Sequence, residues 1–281
     1  MSIRLGENNY GKQCVRLLRL SQQDGRHDIK ELTLGIRFEG NFDPAHTKGD
    51  NRQILPTDTM KNTVYALARQ HPVETAEAFC LLLTEHFLAR NPQVSRIHVD
   101  AAETLWTRLP VGGKSHAYTF TCSTGEKRTA AVNATRNEKT VRAGIDGLVV
   151  LKATQSAFQG FLRDEYTTLK EDRNRILSTA IRANWLYRSD QAEFETIWSG
   201  VRETMLETFA EHDSQSLQHT LYAMGEAVLN KFDSIRGIHL SLPNKHYTLV
   251  DLSPLRLDNP GEVFLPTDEP HGLIEATLRK D

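Results

Sequence analysis

Residues 15–38 read VRLLRLSQQDGRHDIKELTLGIRF, and the fold class turns on how this stretch is paired. Val15–Leu20 and Asp28–Phe38 are two strand-like runs, and the polar link between them carries Asp24-Gly25, a turn signal. A hairpin is expected here. After a loop containing Pro44 and Gly49, the period changes from two to 3.6. Met60, Val64, Leu67 and Ala68 then fall on one helical face, and Thr57, just after Pro56, is expected to cap that helix. Pro72 breaks the chain, and Val73–Leu88 reads as a second helix. Strands are expected at Val94–Leu109, Ser115–Cys122 and Arg128–Thr135, turning at Gly112-Gly113 and Gly125-Glu126.

The same order then recurs. Gly144–Thr154 and Ile176–Tyr187 read as strands. Phe194, Ile197, Trp198, Val201, Met205 and Phe209 form a helical stripe, with Asp190 and Glu193 as a variant capping box. Leu217, Leu221, Met224 and Val228 form another, and strands follow at Ser234–Leu242, Thr248–Leu252 and near Leu273–Leu278. Two strands, two helices and further strands, twice over, imply a duplication joined near Arg136–Arg142, with halves at 1–138 and 139–281. Helices grouped on one face of antiparallel sheets make the class α+β. Long strands also leave sheet edges that edge-to-edge oligomerisation would cover.

Bulk composition excludes several function classes. The 281 residues are 39% hydrophobic and 25% charged, with a formal charge of −2 and a pI near 6.6. A nucleic-acid binder would carry a basic excess, and here Lys and Arg are spread along the chain. Cys14, Cys80 and Cys122 are odd in number and far apart, which suits a reducing compartment and offers neither a disulfide framework nor a zinc site. The N-terminal MSIRLGENNYGKQ lacks a signal-peptide core, and no apolar run approaches membrane-spanning length. Leu278-Arg279-Lys280-Asp281 is not an SKL-type address, so a cytoplasmic location is expected.

No phosphate loop, GxGxxG, GxSxG or HExxH motif is present. His212 and His219 can share a helix face but have no third ligand, so neither a metal nor an organic cofactor is expected. Four stretches stand out, each expected where a strand or helix begins or ends: Tyr10-Gly11-Lys12, Thr57–Thr63 (TDTMKNT), Phe158–Leu169 (FQGFLRDEYTTL) and Ser241–Tyr247 (SLPNKHY). Such junctions are where sites tend to be built. Taken singly, Lys12 reads as a solvated strand-end lysine, Thr57 as a helix cap and His246 as a turn histidine. Phe158 reads as a core aromatic, Arg175 as half of a surface ion pair and Gln218 as a solvated glutamine.

Together with Arg175–Thr179 (RILST) and Gly272-Leu273-Ile274, these stretches resemble the signature segments of the urate oxidase (uricase) family, in order and at matching separations from Tyr10 to about Thr277. The resemblance implies tandem tunnelling-fold (T-fold) halves, each an antiparallel sheet with two helices on one face. Chains of that family assemble into barrels and a homotetramer with active sites at subunit interfaces. It further implies oxidation of urate by O2 and water to 5-hydroxyisourate and hydrogen peroxide, with no cofactor. By the same resemblance, Lys12, Thr57 and His246 form a proton relay, and Phe158 stacks on the purine. Arg175 and Gln218 grip opposite edges, and the amides at Leu217 and Gln218 favour the anion. Thr57 and the Asp58 backbone reach in from a neighbouring subunit. Asn244, with Thr57, holds water or dioxygen over the ring, while Leu169 and Ile274 are apolar wall. Leu217 stands where many relatives have valine, a change that keeps the backbone contact.

Two rivals remain beside this expectation. A pterin-processing cyclohydrolase of the same fold commonly uses zinc held by Cys and His, which three scattered cysteines do not favour. A non-catalytic purine-binding protein would have lost the equivalents of Lys12 or Thr57, and both are present.

Overall fold

A computed structural model describes residues 2–122 and 125–281. The hairpin expected at the start forms from β1 (Tyr10–Gln23) and β2 (Arg26–Gly40), antiparallel, with Gln23 opposite Arg26. Asp24 and Gly25 both take positive φ (48° and 76°), as a two-residue turn matched to strand twist requires. Cys14 also has φ 57°, and the register slips by one residue between Lys12 and Val15, so β1 bulges immediately after Lys12. A bulge re-aims the side chains beside it.

The loop around Pro44 and Gly49 is itself a short helix, α1 (Asp43–Lys48). Its punctuating residues are its terminators: Pro44 lies in the first turn, and Gly49 closes the helix with φ 66°. The helices α2 (Thr57–Gln70) and α3 (Ala76–Arg90) follow. The α2 stripe of Met60, Val64, Leu67 and Ala68 is buried as expected, and Thr75 caps α3 by accepting the Ala78 N–H at 3.2 Å. The expected strand at Val94–Leu109 is interrupted at Leu105-Trp106. It forms β3 (Val94–Thr104) and β4 (Thr107–Val111), the latter paired with β5 (Lys114–Thr121) as a separate ribbon. The next strand is β6 (Lys127–Ala134).

These elements belong to a compact unit of residues 1–144 and 186–198, in which the strands run in the order β1-β2-β3-β6. Register sets its core in rows. Phe38 lies opposite Ile97 and Ile97 opposite Ala134; Ile36, Val99 and Val132 form the next row, and Leu34, Ala101 and Ala130 the one after. All nine are buried, and the neighbouring α3 packs on β3 and β6. One step further along the same face, Leu32 is followed by Glu103 and Arg128, both buried. The apolar row therefore ends in charge.

The second unit comprises residues 145–185 and 199–281. Its strands are most of β7 (Lys139–Lys152), most of β8 (Leu177–Tyr187), β9 (Ile235–Leu249) and β10 (Phe264–Arg279), in that order. The helix α4 (Phe194–Glu211) begins four residues after Asp190, whose carboxylate lies 3.6 Å from Lys139, so Asp190 is not its cap. α5 (Leu217–Lys231) packs on β9 and β10. Both helical stripes read from the sequence are buried. The break expected between Leu242 and Thr248 is absent, because β9 runs unbroken through Pro243. Proline is tolerated there beside an irregularity: β10 inserts extra residues between Thr267 and Gly272, which lie opposite His246 and Asn244. Among the described residues, no helix is long and apolar enough to cross a membrane.

Candidate active site

In the first unit, Lys12 and Thr57 are set by two elements that meet. The neighbouring α2 packs on β1, and the hydroxyl of the half-buried Tyr10 accepts the Leu55 N–H at 2.9 Å. This bond ties the start of β1 to the segment leading into α2. Burial raises the Tyr10 pKa and the Leu55 bond works against it. Thr57 does not cap its helix. The capping position belongs to Pro56 (φ −55°, ψ 136°), and Thr57 is already helical, so no side chain caps the first turn. The amides of Thr57, Asp58 and Thr59 thus lack intrahelical partners, and the first intrahelical bond in this turn is Met60 N–H to Pro56 C=O at 3.2 Å. The Asp58 side chain is occupied: Lys61 lies at 2.5 Å and Asn62 donates at 2.9 Å. The hydrogen bond from Lys61 and its charge hold the Asp58 carboxyl below its usual range, and Lys12 adds to the same field. Any contact that Asp58 offers a ligand is therefore better made by its backbone.

The second unit gathers Phe158, Arg175, Leu217 and Gln218 through backbone pairing outside the main sheet. Phe158 and Asp172 exchange two hydrogen bonds (2.7 and 3.1 Å), Arg175 N–H donates to Ser156 at 2.8 Å, and Ala157 N–H donates to Ser214 at 2.7 Å. Ser214 leads into Ser216, whose hydroxyl caps α5 by accepting the His219 N–H at 3.1 Å. That cap serves the third residue of the helix, leaving the amides of Leu217 and Gln218 as first-turn donors near its positive end. Leu217 is buried and Gln218 is exposed.

Arg175 is the unusual side chain. It is half-buried, its guanidinium sits 5.1 Å over the Phe158 ring, and its Nε is buried with no hydrogen-bond partner among the described residues. Burial lowers its pKa, opposed by Asp172. A guanidinium stays charged under all ordinary conditions, so this is a desolvated cation with donors to spare beside an aromatic face. Such an arrangement suits a flat anion. The buried Arg128 of the first unit, in contrast, has two carboxylates.

Asn244 and His246 sit on β9 opposite Gly272 and Thr267. They lie on a strand, which corrects the turn reading of His246; their side chains, two residues apart, share one face of the sheet. Lys245 between them pairs with Asp268 at 2.6 Å. Ile274 is half-buried close to Gly272, whereas Leu169 is exposed. Sequence reasoning missed Tyr10 and Ser216 as organisers of the site. Ser216, a serine just ahead of an apolar stripe, carried a readable capping signal, while the Tyr10 bond is non-local and left none. Among the described residues, no three of His, Cys, Asp and Glu gather as a metal site; His212 and His219 do meet, with ring centroids 4.3 Å apart.

Comparison with known proteins adds an independent line. The sequence model of the family described as Uricase matches residues 8–133 and 141–275. The chain is 43% identical over 277 residues to a protein named Uricase from Arthrobacter globiformis, covering 99% of this chain and 90% of that one. It is 39% identical over 285 residues to Uricase from Aspergillus flavus, covering 96% and 94%. The crystal structure of the Arthrobacter globiformis Uricase matches with a TM-score of 0.95, over 100% of this chain and 96% of that one.

Proposed function

The chain belongs to the uricase family, and from that membership we infer that it is a urate oxidase. The reaction is urate + O2 + H2O → 5-hydroxyisourate + H2O2. The observation that carries the reading within the site is Arg175, a half-buried cation with an unpartnered Nε beside the Phe158 ring. A urate monoanion is flat, delocalised and rimmed with acceptors, so it matches both groups.

In this reading Phe158 stacks on the purine, Arg175 takes one edge, and Gln218 with the Leu217 amide takes the other. Thr57 and the Asp58 amide come from a neighbouring subunit, at the uncapped start of α2. Lys12, Thr57 and His246 move the protons: a second deprotonation makes urate electron-rich enough to reduce O2, and a water then adds to the dehydrourate. Asn244 and Thr57 hold that O2 or water above the ring. The protein supplies orientation, proton transfer and shelter, and needs neither metal nor organic cofactor because urate is itself the one-electron donor. The assembly proposed is a homotetramer. Apolar side chains left exposed on strands, Leu18 and Leu20 of β1 and Val149 and Leu151 of β7, support burial against other copies. A cytoplasmic location is part of the same proposal.

Protein treated with a strong chelator and dialysed tests the reading, with urate absorbance, dissolved oxygen and peroxide followed together. Urate loss matched by oxygen uptake and peroxide release is the expected result. Tight urate binding without turnover would instead support a purine-binding protein. Activity lost with metal and restored by it would overturn the cofactor-free chemistry.

A further inference from the structure

Phe158 carries the stacking role above, yet only its backbone is pinned, by the bonds to Asp172. Its ring is half-buried and does not lie within the core. Besides the Arg175 guanidinium, the ring meets Phe161. The two rings are 5.0 Å apart between centroids and tilted by only 11°, a parallel offset stack. The chain makes this pair by folding back on itself at Gly160, which takes φ 66° while its amide donates to Glu171 at 3.2 Å. A Cβ on Gly160 would meet nothing within 4 Å, so the glycine is there for conformation rather than space. Beyond Phe161, the Arg163 guanidinium lies 4.9 Å over the Phe161 ring. Arg163 is followed by a turn in which Asp164 accepts from Tyr166 N–H (3.0 Å) and from the Thr167 hydroxyl (2.8 Å). With Arg175 over Phe158 at 5.1 Å, each of the two stacked rings has a guanidinium over it: Arg163 at Phe161 and Arg175 at Phe158.

We propose that Phe161 is a positioning residue for substrate: it backs Phe158 and keeps that ring in the one plane on which a flat anion can stack while it meets Arg175. The inference rests on the reading of Phe158 as the stacking surface. The remaining side chains of this segment do not share the task, since Leu162, Tyr166 and Leu169 are all exposed. A backing ring acts on ground-state placement, so its loss affects urate affinity and KM more than kcat. A stacked aromatic contact corresponds to roughly a three- to tenfold change in affinity.

The test compares Phe161→Ala, Phe161→Leu and Phe161→Tyr in the full-length enzyme. The readouts are anaerobic urate affinity, KM and kcat in air, and thermal stability. Phe161→Ala and Phe161→Leu should both raise the urate Kd and KM by roughly three- to tenfold with kcat changed less, while Phe161→Tyr, which keeps a flat ring, should restore wild-type values. A purely structural role would make Phe161→Leu resemble wild type, because volume and apolarity are kept; that result overturns the proposal. So does a lower KM in Phe161→Ala, which would make the ring a cover. Phe158→Ala serves as the control. If it also leaves urate affinity unchanged, the stacking reading itself has failed; if it weakens affinity while Phe161→Ala does not, only the backing role is refuted.

Discussion

Arg128→Met is the substitution whose outcome is most constrained by the structure. Arg128 is 1% exposed, and its Nη2 donates to Glu77, itself fully buried, at 2.9 Å. Its Nη1 donates to Glu195, and its guanidinium lies 5.1 Å over the Trp198 ring. Glu103, directly cross-strand from Arg128, is paired with Lys30 at 2.7 Å. Burial raises the Glu77 pKa and the Arg128 charge partly offsets this. A methionine of similar length keeps the packing and removes that charge, and Glu77 is then a buried carboxylate without its counterion. Breaking a buried pair in this way costs about 3–5 kcal/mol. The cost has a ceiling, because Glu77 can take up a proton. Keeping a glutamate neutral costs about 1.4 kcal/mol for each pH unit above its ordinary value near 4.3, hence about 4 kcal/mol at pH 7 and about 1 kcal/mol at pH 5. The direction follows from the sign of the shift. A raised carboxyl pKa means the folded state binds the proton more readily than the unfolded chain. The penalty is therefore absent below the unfolded value and grows as pH rises. Thermal unfolding followed by tryptophan fluorescence, at fixed protein concentration, should show a midpoint lowered by roughly 8–16 °C at pH 7 and by only a few degrees at pH 5. Adding Glu77→Gln to Arg128→Met should recover most of the loss at pH 7. An equal loss at both pH values, or no recovery in the double variant, would refute the account.

Three further outcomes follow from the site. Lys12→Ala should lower turnover strongly while leaving anaerobic urate affinity largely intact; unchanged turnover would remove Lys12 from the proton relay. Arg175→Ala should weaken urate binding first, by roughly ten- to a hundredfold for a lost charge-assisted contact, as read from Kd and KM. Gly11→Ala should destabilise the β1–β2 hairpin and depress activity together, because its Cβ would lie 1.8 Å from the Ile36 carbonyl oxygen, next to Lys12. Wild-type stability and activity in that variant would mean that the close approach of the two strands at Gly11 is not required.

Much of the fold was legible because it is written in local periodicity. The turn at Asp24-Gly25, the α2 stripe, and the α4 and α5 stripes all reappear where the pattern placed them, since period and turn chemistry are short-range properties. The errors are local as well. The Pro44–Gly49 loop concealed a helix whose stop and start residues look like loop residues, and Pro243 suggested a break that the neighbouring bulge makes unnecessary. The candidate site was legible only as ordered segments resembling a family. No single residue among Lys12, Thr57, Phe158, Arg175, Gln218 and His246 carries its proposed role in its own neighbourhood.

By itself the sequence determined most of the elements, the apolar faces of the helices and the kinship. Tertiary structure alone decided which polar groups are left unsatisfied and which are consumed. Arg128 is matched by Glu77 and Glu195, brought in from far along the chain, while Arg175 sits over Phe158 with its Nε unpartnered among the described residues. The physical reason is that desolvation and pairing depend on what the chain brings opposite a residue from far away in sequence. An arginine met by carboxylates is a structural counterion, whereas one left without them stays available to a ligand.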